Sequence, residues 1–469
     1  VKHPLFGIET EYAFTPLRED GTLLNRDRFL QELMEIGFQK LPHLPDRSGA
    51  GMFLQNGARF YADCGEHPEY STPECIHPWD LVRHVRAGDR ILEQLAAVLR
   101  RDERVDDVVV LRSNVDHGGT GATWGSHESY LHEQDPRIFV DDMIPHLVSR
   151  IVYTGAGGFN SMRPHGLEFT LSPRVWHLEQ TVSGESTHTR GIYHTKTEAL
   201  SNRTHRLHLL CGESLCSDLA TWLKVATTAL VVALIDGGIH PGQGLRLRDP
   251  LEAMRRYASD PTCRVVARLG DGSDVTAVEL QRRYLAVAEA HIDARFMPPF
   301  TAAVCTEWRA ILDAIEQGPA AVSGKLDWAI KLAMYVAYAA RNGYEWESLL
   351  AAMAAQERGE QSGDAGTLTR LRFEFLDIDT RFGQLGERGI FSSLDRAGAL
   401  QHQVPGVDNI QDAVEYPPRS GRARVRGDRI RQLAGERGAY VAGWTGIWDY
   451  EGHKFLDLND PFTAEVQWA

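Results

Sequence analysis

Residues 6–14 read Phe-Gly-Ile-Glu-Thr-Glu-Tyr-Ala-Phe and alternate strictly between apolar and polar positions. A period of two predicts a strand. Phe6, Ile8, Thr10, Tyr12 and Phe14 share one face, and Glu9 and Glu11 share the other. The period then lengthens. Phe29, Leu30, Leu33, Met34 and Leu41 predict a helix over residues 28–41. A Gly/Pro/Ser loop over 44–51 leads to a second alternating segment, in which Arg59, Tyr61 and Asp63 oppose Phe60, Ala62 and Cys64. Pro78 opens a long amphipathic helix carrying Leu81, Val85, Leu92, Leu95 and Leu99. Strand-like pieces follow at 108–112, 128–131, 166–171 and 206–210, parted by glycine-rich turns at 116–125 and 155–158.

Beyond Ser217 the pattern turns helical, broken by a hairpin near 271–273 and continuing through 325–341 and 368–382. The apolar stretch 219–239 contains Lys224 and Asp236, so it reads as a buried helix and not a membrane span. After Leu400 come Pro417-Pro418, the arginines 419, 422, 424, 426 and 429, and a tail rich in Trp and Tyr. This gives a main domain over 1–400 and a small C-terminal domain over 401–469. Strands dominate the first half and helices the second, which predicts an α+β fold with an antiparallel sheet backed by helices.

Composition narrows the class. The chain has 469 residues, 43% hydrophobic and 24% charged, with a formal net charge of −14. That suits a large globular protein and disfavours nonspecific nucleic-acid binding. The six cysteines form no CxxC pair, so zinc-site spacing is absent and reduced thiols in a cytoplasmic protein are expected. No signal peptide or membrane segment is expected.

Glu9 and Glu11 lie two residues apart on one face, roughly 6–7 Å along a strand. Like charges so close call for something positive between them, and carboxylates suit hard cations such as Mg²⁺. Arg59, Tyr61 and Asp63 put a cation, a phenol and a carboxylate side by side. They are equipment for an anionic, metal-bound substrate, or a half-exposed surface strand.

The motifs Gly7-Ile8-Glu9-Thr10-Glu11-Tyr12, Asn56-Gly57-Ala58-Arg59 and the run His67–Glu74 strongly resemble the Pup ligase and depupylase family. Further matches run in order along the chain. They are Trp124–Tyr130, Thr154–Gly157, Arg206-Leu207-His208, Asp327–Lys331, Pro417-Pro418, Arg422–Gly427 and Asp460-Pro461-Phe462. The resemblance implies a glutamine-synthetase-like fold, whose curved antiparallel sheet forms a cradle for ATP and Mg²⁺. It implies an ATP-dependent carboxylate–amine ligase. Such an enzyme phosphorylates the C-terminal glutamate of a small protein modifier, Pup or Pup-like, and joins it to lysines of target proteins. It also implies roles. Asp63 matches the general base. Glu9, Tyr61 and Glu69 match metal ligands. Arg59 and Thr72 match ATP contacts, and Trp444 lines up with a nucleotide-contacting tryptophan or is a domain-interface residue. Glu11, His127 and His208 are further candidates; His127 is a ligand or a structural histidine. The arginines after Pro418 form a solvated basic face or hold an acidic modifier.

The depupylase branch carries a long extra loop between the first strand and the catalytic aspartate. Here that interval holds one helix and one short loop, as in the ligase. The alternatives are hydrolysis or deamidation on the same cradle, and a ligase for a small molecule. Some segments depart from the family wording: Ser113-Asn114-Val115-Asp116, Gly125-Ser126-His127-Glu128-Ser129-Tyr130, the stretch from His194 to Leu200, and Gly421. At Lys196 the family's bidentate arginine fork is lost. These mark a divergent member.

Overall fold

The structure is a computed structural model that describes residues 4–102, 104–163, 167–186, 188–196, 204–360, 365–436 and 438–469. Its centre is a seven-stranded antiparallel sheet. The strands are β1 (Phe6–Glu11), β2 (His43–Pro45), β3 (Gly51–Leu54), β4 (Arg59–Ala62), β5 (Pro68–Ser71), β6 (Ser126–His132) and β7 (His205–Leu209). Their order across the sheet is β7-β6-β1-β5-β4-β3-β2, so β1 is an interior strand beside the central β5.

One face of this sheet is the core. Phe6, Ile8, Thr10, Phe60, Tyr70, Tyr130, Leu207 and Leu209 are all buried. Helix α1 (Arg26–Lys40) packs Phe29, Leu30, Leu33 and Met34 toward the sheet, and its N-terminus is capped by Asn25, which accepts from the Arg28 amide. Gly37 lets α1 sit close, because a Cβ there would meet Met52 Cε at 3.1 Å. Helix α2 (Pro78–Leu99) buries the Leu81, Val85, Leu92, Leu95 and Leu99 stripe that its sequence displays. Helix α3 (Asp218–Asp236) is long and apolar enough to cross a membrane, yet 94% of its most apolar stretch is packed inside the fold. Lys224 within α3 is 1% exposed and donates to Ser126 Oγ and the Glu213 carbonyl, both at 2.9 Å. Burial drops its pKa to about 8.

Several expectations shift in detail. The alternating run 6–14 is not one strand. It breaks at Tyr12, and Ala13–Leu17 pairs instead with Asp107–Leu111 in a separate ribbon. All five predicted apolar positions are still buried. The expected 44–51 loop overlaps β2 at Leu44 and Pro45 and β3 at Gly51, because Leu44 has a pocket to fill against the C-terminal part. The strand expected at 166–171 shrinks to Phe169–Thr170, and Gly166 lies outside the described residues. The helices of the second half appear at Asp327–Arg341 and Ala365–Phe382. The six cysteines are free.

Past Leu400 the chain first follows the main body. The His402 carbonyl accepts from Leu219 at 2.8 Å, and the Ala413 carbonyl accepts from Asn56 Nδ2 at 2.8 Å. Helix α4 (Gly421–Leu433) and the meander β8 (Tyr440–Gly443), β9 (Gly446–Asp449) and β10 (Lys454–Asp457) come next. Ile430, Leu433, Ala442, Ile447, Leu456 and Leu458 form a small core there, completed by Leu44 and Phe53 from the main sheet.

Candidate active site

Register places the acids in rows on the other face of the sheet. Arg59, Ser71, Glu9 and His127 stand opposite one another across β4, β5, β1 and β6. Tyr61, Glu69 and Glu11 form the next row across β4, β5 and β1. His208 is paired with Ser129 and Arg206 with Leu131, which brings both onto the same face at the β7 edge. His127 therefore points into the cradle. Its neighbour Glu128 points to the core, where it is fully buried and paired with Arg150 at 2.6 Å.

The central group is charged and largely enclosed. Arg206 Nη2 donates to Glu9 Oε1 at 2.6 Å, and His127 Nδ1 and His208 Nε2 lie 3.3 and 3.5 Å from Glu9 Oε2. Burial alone would raise the Glu9 pKa, but Arg206, His208 and His127 outweigh it and hold the carboxyl well below its ordinary range. Glu69 goes the other way. Burial and the charges of Glu9 and Glu11 push its carboxyl well above that range. Its Oε1 is buried with no hydrogen-bond partner among the described residues. The Tyr61 phenol is likewise pushed up, by burial and then by Glu69 and Glu9. An orphaned carboxylate oxygen among acids and a phenol is an oxygen-donor set that fits a hard divalent cation.

Asp63 sits just beyond the end of β4, not on it as strict alternation would have it. Its Oδ1 accepts from the amides of Gly65 (2.9 Å) and His67 (2.6 Å), and its Oδ2 lies 3.3 Å from His67 Nδ1. Burial would raise its pKa, but the bonds from the His67 side chain and backbone and from Gly65 lower it on balance. It is thus ionised at neutral pH. The Gly125 amide donates to Glu11 Oε2 at 2.7 Å, tying the glycine-rich loop over this end of the floor.

At the other end of β1 lies a cavity of about 340 Å³. Gly7, Glu9, Arg59, Tyr61, Thr72 and Trp444 all line it. Thr72 Oγ1 accepts from the Ile8 amide at 3.1 Å, which leaves its own hydroxyl proton to donate elsewhere. Arg59 lies 3.8 Å over the Tyr61 ring and donates from Nε to Asp46 at 2.7 Å. Trp444 packs edge-on against Phe53 at 5.0 Å, with the Arg426 guanidinium 4.8 Å from its ring. The structure thus gathers Glu9, Arg59, Tyr61, Thr72 and Trp444 around one cavity, with Glu69 paired to Tyr61 across the adjoining strands and Asp63 just past the end of β4.

The arginines after Pro418 divide. Arg422 and Arg426 are buried, and Arg419 is exposed. Arg422 Nε donates to Glu74 Oε1 at 2.6 Å, and Arg426 Nη2 donates to Glu74 Oε2. The two guanidinium groups hold the Glu74 pKa down to about 2 against the upward push of burial. This clamp was missed from sequence, although the i,i+4 spacing of Arg422 and Arg426 places them on one helix face. The Arg206–Glu9 bond and the His67 contact to Asp63 were also missed. Of the divergent stretch from His194 to Leu200, residues 197–200 lie outside the described residues.

Comparison with known proteins gives one consistent result. A family model described as Pup-ligase protein matches residues 4–448. The Pup–protein ligase of Acidimicrobium ferrooxidans is 32% identical over 471 residues, covering 98% of this chain and 96% of that protein. The Pup–protein ligase of Xylanimonas cellulosilytica is 31% identical over 475 residues, with the same coverage. Among solved structures, the complex between Pup and its ligase PafA superposes with a TM-score of 0.81 at 25% identity, covering 99% of this chain and 90% of that one. PafA in complex with ADP gives 0.72 at 25% identity, covering 94% and 92%. The α+β, glutamine-synthetase-like architecture expected from the motifs is that of these neighbours, and the chain belongs to the Pup-ligase family.

Proposed function

We propose that this chain is an ATP-dependent ligase that joins the C-terminal glutamate of Pup to lysines of target proteins. The observation that carries the reading is one sheet face on which Glu9, Arg59, Tyr61, Thr72 and Trp444 line one cavity, while Glu69 and Glu11 stand in register beside Tyr61 on the way to Asp63. A carboxylate is a poor electrophile, and phosphorylation by ATP makes it a good one. A lysine then displaces phosphate and forms the isopeptide bond.

Each residue has a part in this. Thr72 offers a hydroxyl donor in the nucleotide cavity, Trp444 a flat apolar wall, and Arg59 a cation for phosphate oxygens. Glu9, Glu69 and Tyr61 would hold Mg²⁺, which neutralises phosphate charge as the phosphoryl group moves. Arg206 keeps Glu9 ionised and fixed before any ligand arrives. Asp63 serves as the base. A lysine nitrogen becomes acidic as its bond to the acyl carbon forms, and an ionised carboxylate within hydrogen-bond reach then takes the proton.

Hydrolysis or deamidation would need water at the place that lysine occupies here. The curated relatives bear the ligase name, so ligation is the favoured direction. The test is Asp63→Asn. It is expected to leave ATP binding largely intact and abolish conjugate formation; full activity of that variant would remove Asp63 from the base role.

A further inference from the structure

The two oxygens of Asp63 are used unequally. Oδ1 accepts two backbone N–H groups, from Gly65 and His67. Among the described residues Oδ2 has one hydrogen-bond partner, His67 Nδ1 at 3.3 Å, with the Glu11 carboxylate in the same acid group. We infer that Oδ2 is the atom that takes the lysine proton, and that His67 is the positioning residue that aims it. This rests on the ligase reading of Asp63.

An ionised carboxylate can only accept, so the His67 ring must present N–H from Nδ1. Oδ1 is committed to the turn. Asp63 N also donates to the His67 carbonyl at 3.0 Å, and Glu66 takes a left-handed φ of 58° to close the loop. A further donor at Oδ1 would have to displace one of these amides. Oδ2 keeps lone-pair capacity. A contact of 3.3 Å is longer than the 2.7–2.9 Å typical of a charge-assisted bond, so the ring steers Oδ2 without saturating it.

The ring is itself held in place. A Cβ on Gly65 would lie 2.8 Å from His67 Cε1 and 2.9 Å from Nδ1. Gly65 is not in the left-handed region, so room for the ring, not backbone freedom, calls for glycine there. On its other side the ring meets Trp124, with centroids 5.6 Å apart. Trp124 directly precedes Gly125, whose amide binds Glu11. The loop that closes over the acid floor therefore also braces the ring that aims the base. In the transfer step the lysine nitrogen bonds to the acyl carbon, its proton passes to Oδ2, the carbon–oxygen bond to phosphate breaks, and phosphate leaves. Asp63 then returns its proton to solvent.

The two half-reactions separate the roles. Hydroxylamine is a free base at neutral pH, so it traps an acyl phosphate without help from a general base. Full-length His67→Ala, His67→Asn and Gly65→Ala proteins are assayed with ATP, Mg²⁺ and a Pup ending in glutamate. Each is offered hydroxylamine or a lysine-bearing protein. His67→Ala and Gly65→Ala are expected to form Pup hydroxamate at the wild-type rate while kcat for lysine ligation falls about 10- to 100-fold, with KM for ATP unchanged. His67→Asn, which restores a donor N–H, is expected to recover most of the ligation rate. Wild-type ligation by both His67→Ala and Gly65→Ala would overturn the inference. So would an equal loss of both half-reactions, which would make His67 part of the cation floor. A wild-type protein that ligates nothing would instead refute the ligase reading.

Discussion

Glu69 Oε1 lies buried without a hydrogen-bond partner among the described residues, on the residue that directly faces Glu11 across the β1–β5 ladder. Two carboxylates in that relationship cannot both ionise cheaply in a closed cleft. Glu9, held ionised by Arg206, adds to the pressure. The floor is thus built with one acid too many for its own cations.

Cation binding should therefore displace the Glu69 proton. Because the Glu69 pKa is raised on folding, its contribution to the cation-free protein is greatest in acid and is lost as pH rises through the folded value. Mg²⁺ relieves that loss. Mg²⁺ binding should strengthen as pH rises through the range in which Glu69 titrates, and calorimetry in buffers of different ionisation enthalpy should register proton release at a pH below that range. Heats independent of the buffer across the whole pH range would mean that Glu69 gives up no proton to the cation.

Glu69→Gln removes the charge that a cation needs while easing the repulsion. It is expected to raise the melting temperature of the cation-free protein and to weaken Mg²⁺-dependent ATP turnover by at least about 100-fold. Thermal melts and ADP release measure the two effects separately.

The Glu74 clamp carries a stability prediction of opposite sign. With a folded pKa of about 2 against an ordinary 4.5, Glu74 stabilises the fold fully above pH 4.5. That contribution fades as pH falls from 4.5 toward 2. Glu74→Ala takes away the carboxylate that two buried guanidinium groups share, leaving them backbone carbonyls alone for compensation, and should cost about 3–5 kcal/mol at neutral pH. Denaturant unfolding of variant and wild type at pH 7 checks it.

Trp444→Leu keeps apolar bulk against Phe53 but gives up the flat ring. ATP affinity should fall about 10-fold, with a smaller stability loss than Glu74→Ala. Unchanged ATP affinity would leave Trp444 as an interface residue alone.

Much of this was legible along the chain. The period-two run at 6–14 gave the buried and acid-bearing faces, and the Arg59–Tyr61 pair gave the opposing wall. Helices α2 and α3 followed from their apolar spacing. Other features depend on distance in three dimensions. The break at Tyr12 needed the partner strand Asp107–Leu111. Asp63 leaves the strand because its own side chain captures two amides ahead of it. Glu74 and Arg422 meet across 348 residues of chain, and no local pattern announces such a bond. The motif resemblance, rather than periodicity, supplied the roles of Thr72 and Trp444.

The most direct measurement incubates the purified protein with ATP, Mg²⁺, a Pup ending in glutamate and a lysine-bearing protein, then follows conjugates by mass spectrometry. An isopeptide bond between the Pup glutamate side chain and a lysine, with one ADP released per bond, is the predicted result. Absence of conjugate, together with cleavage of a conjugate made beforehand, would contradict the account.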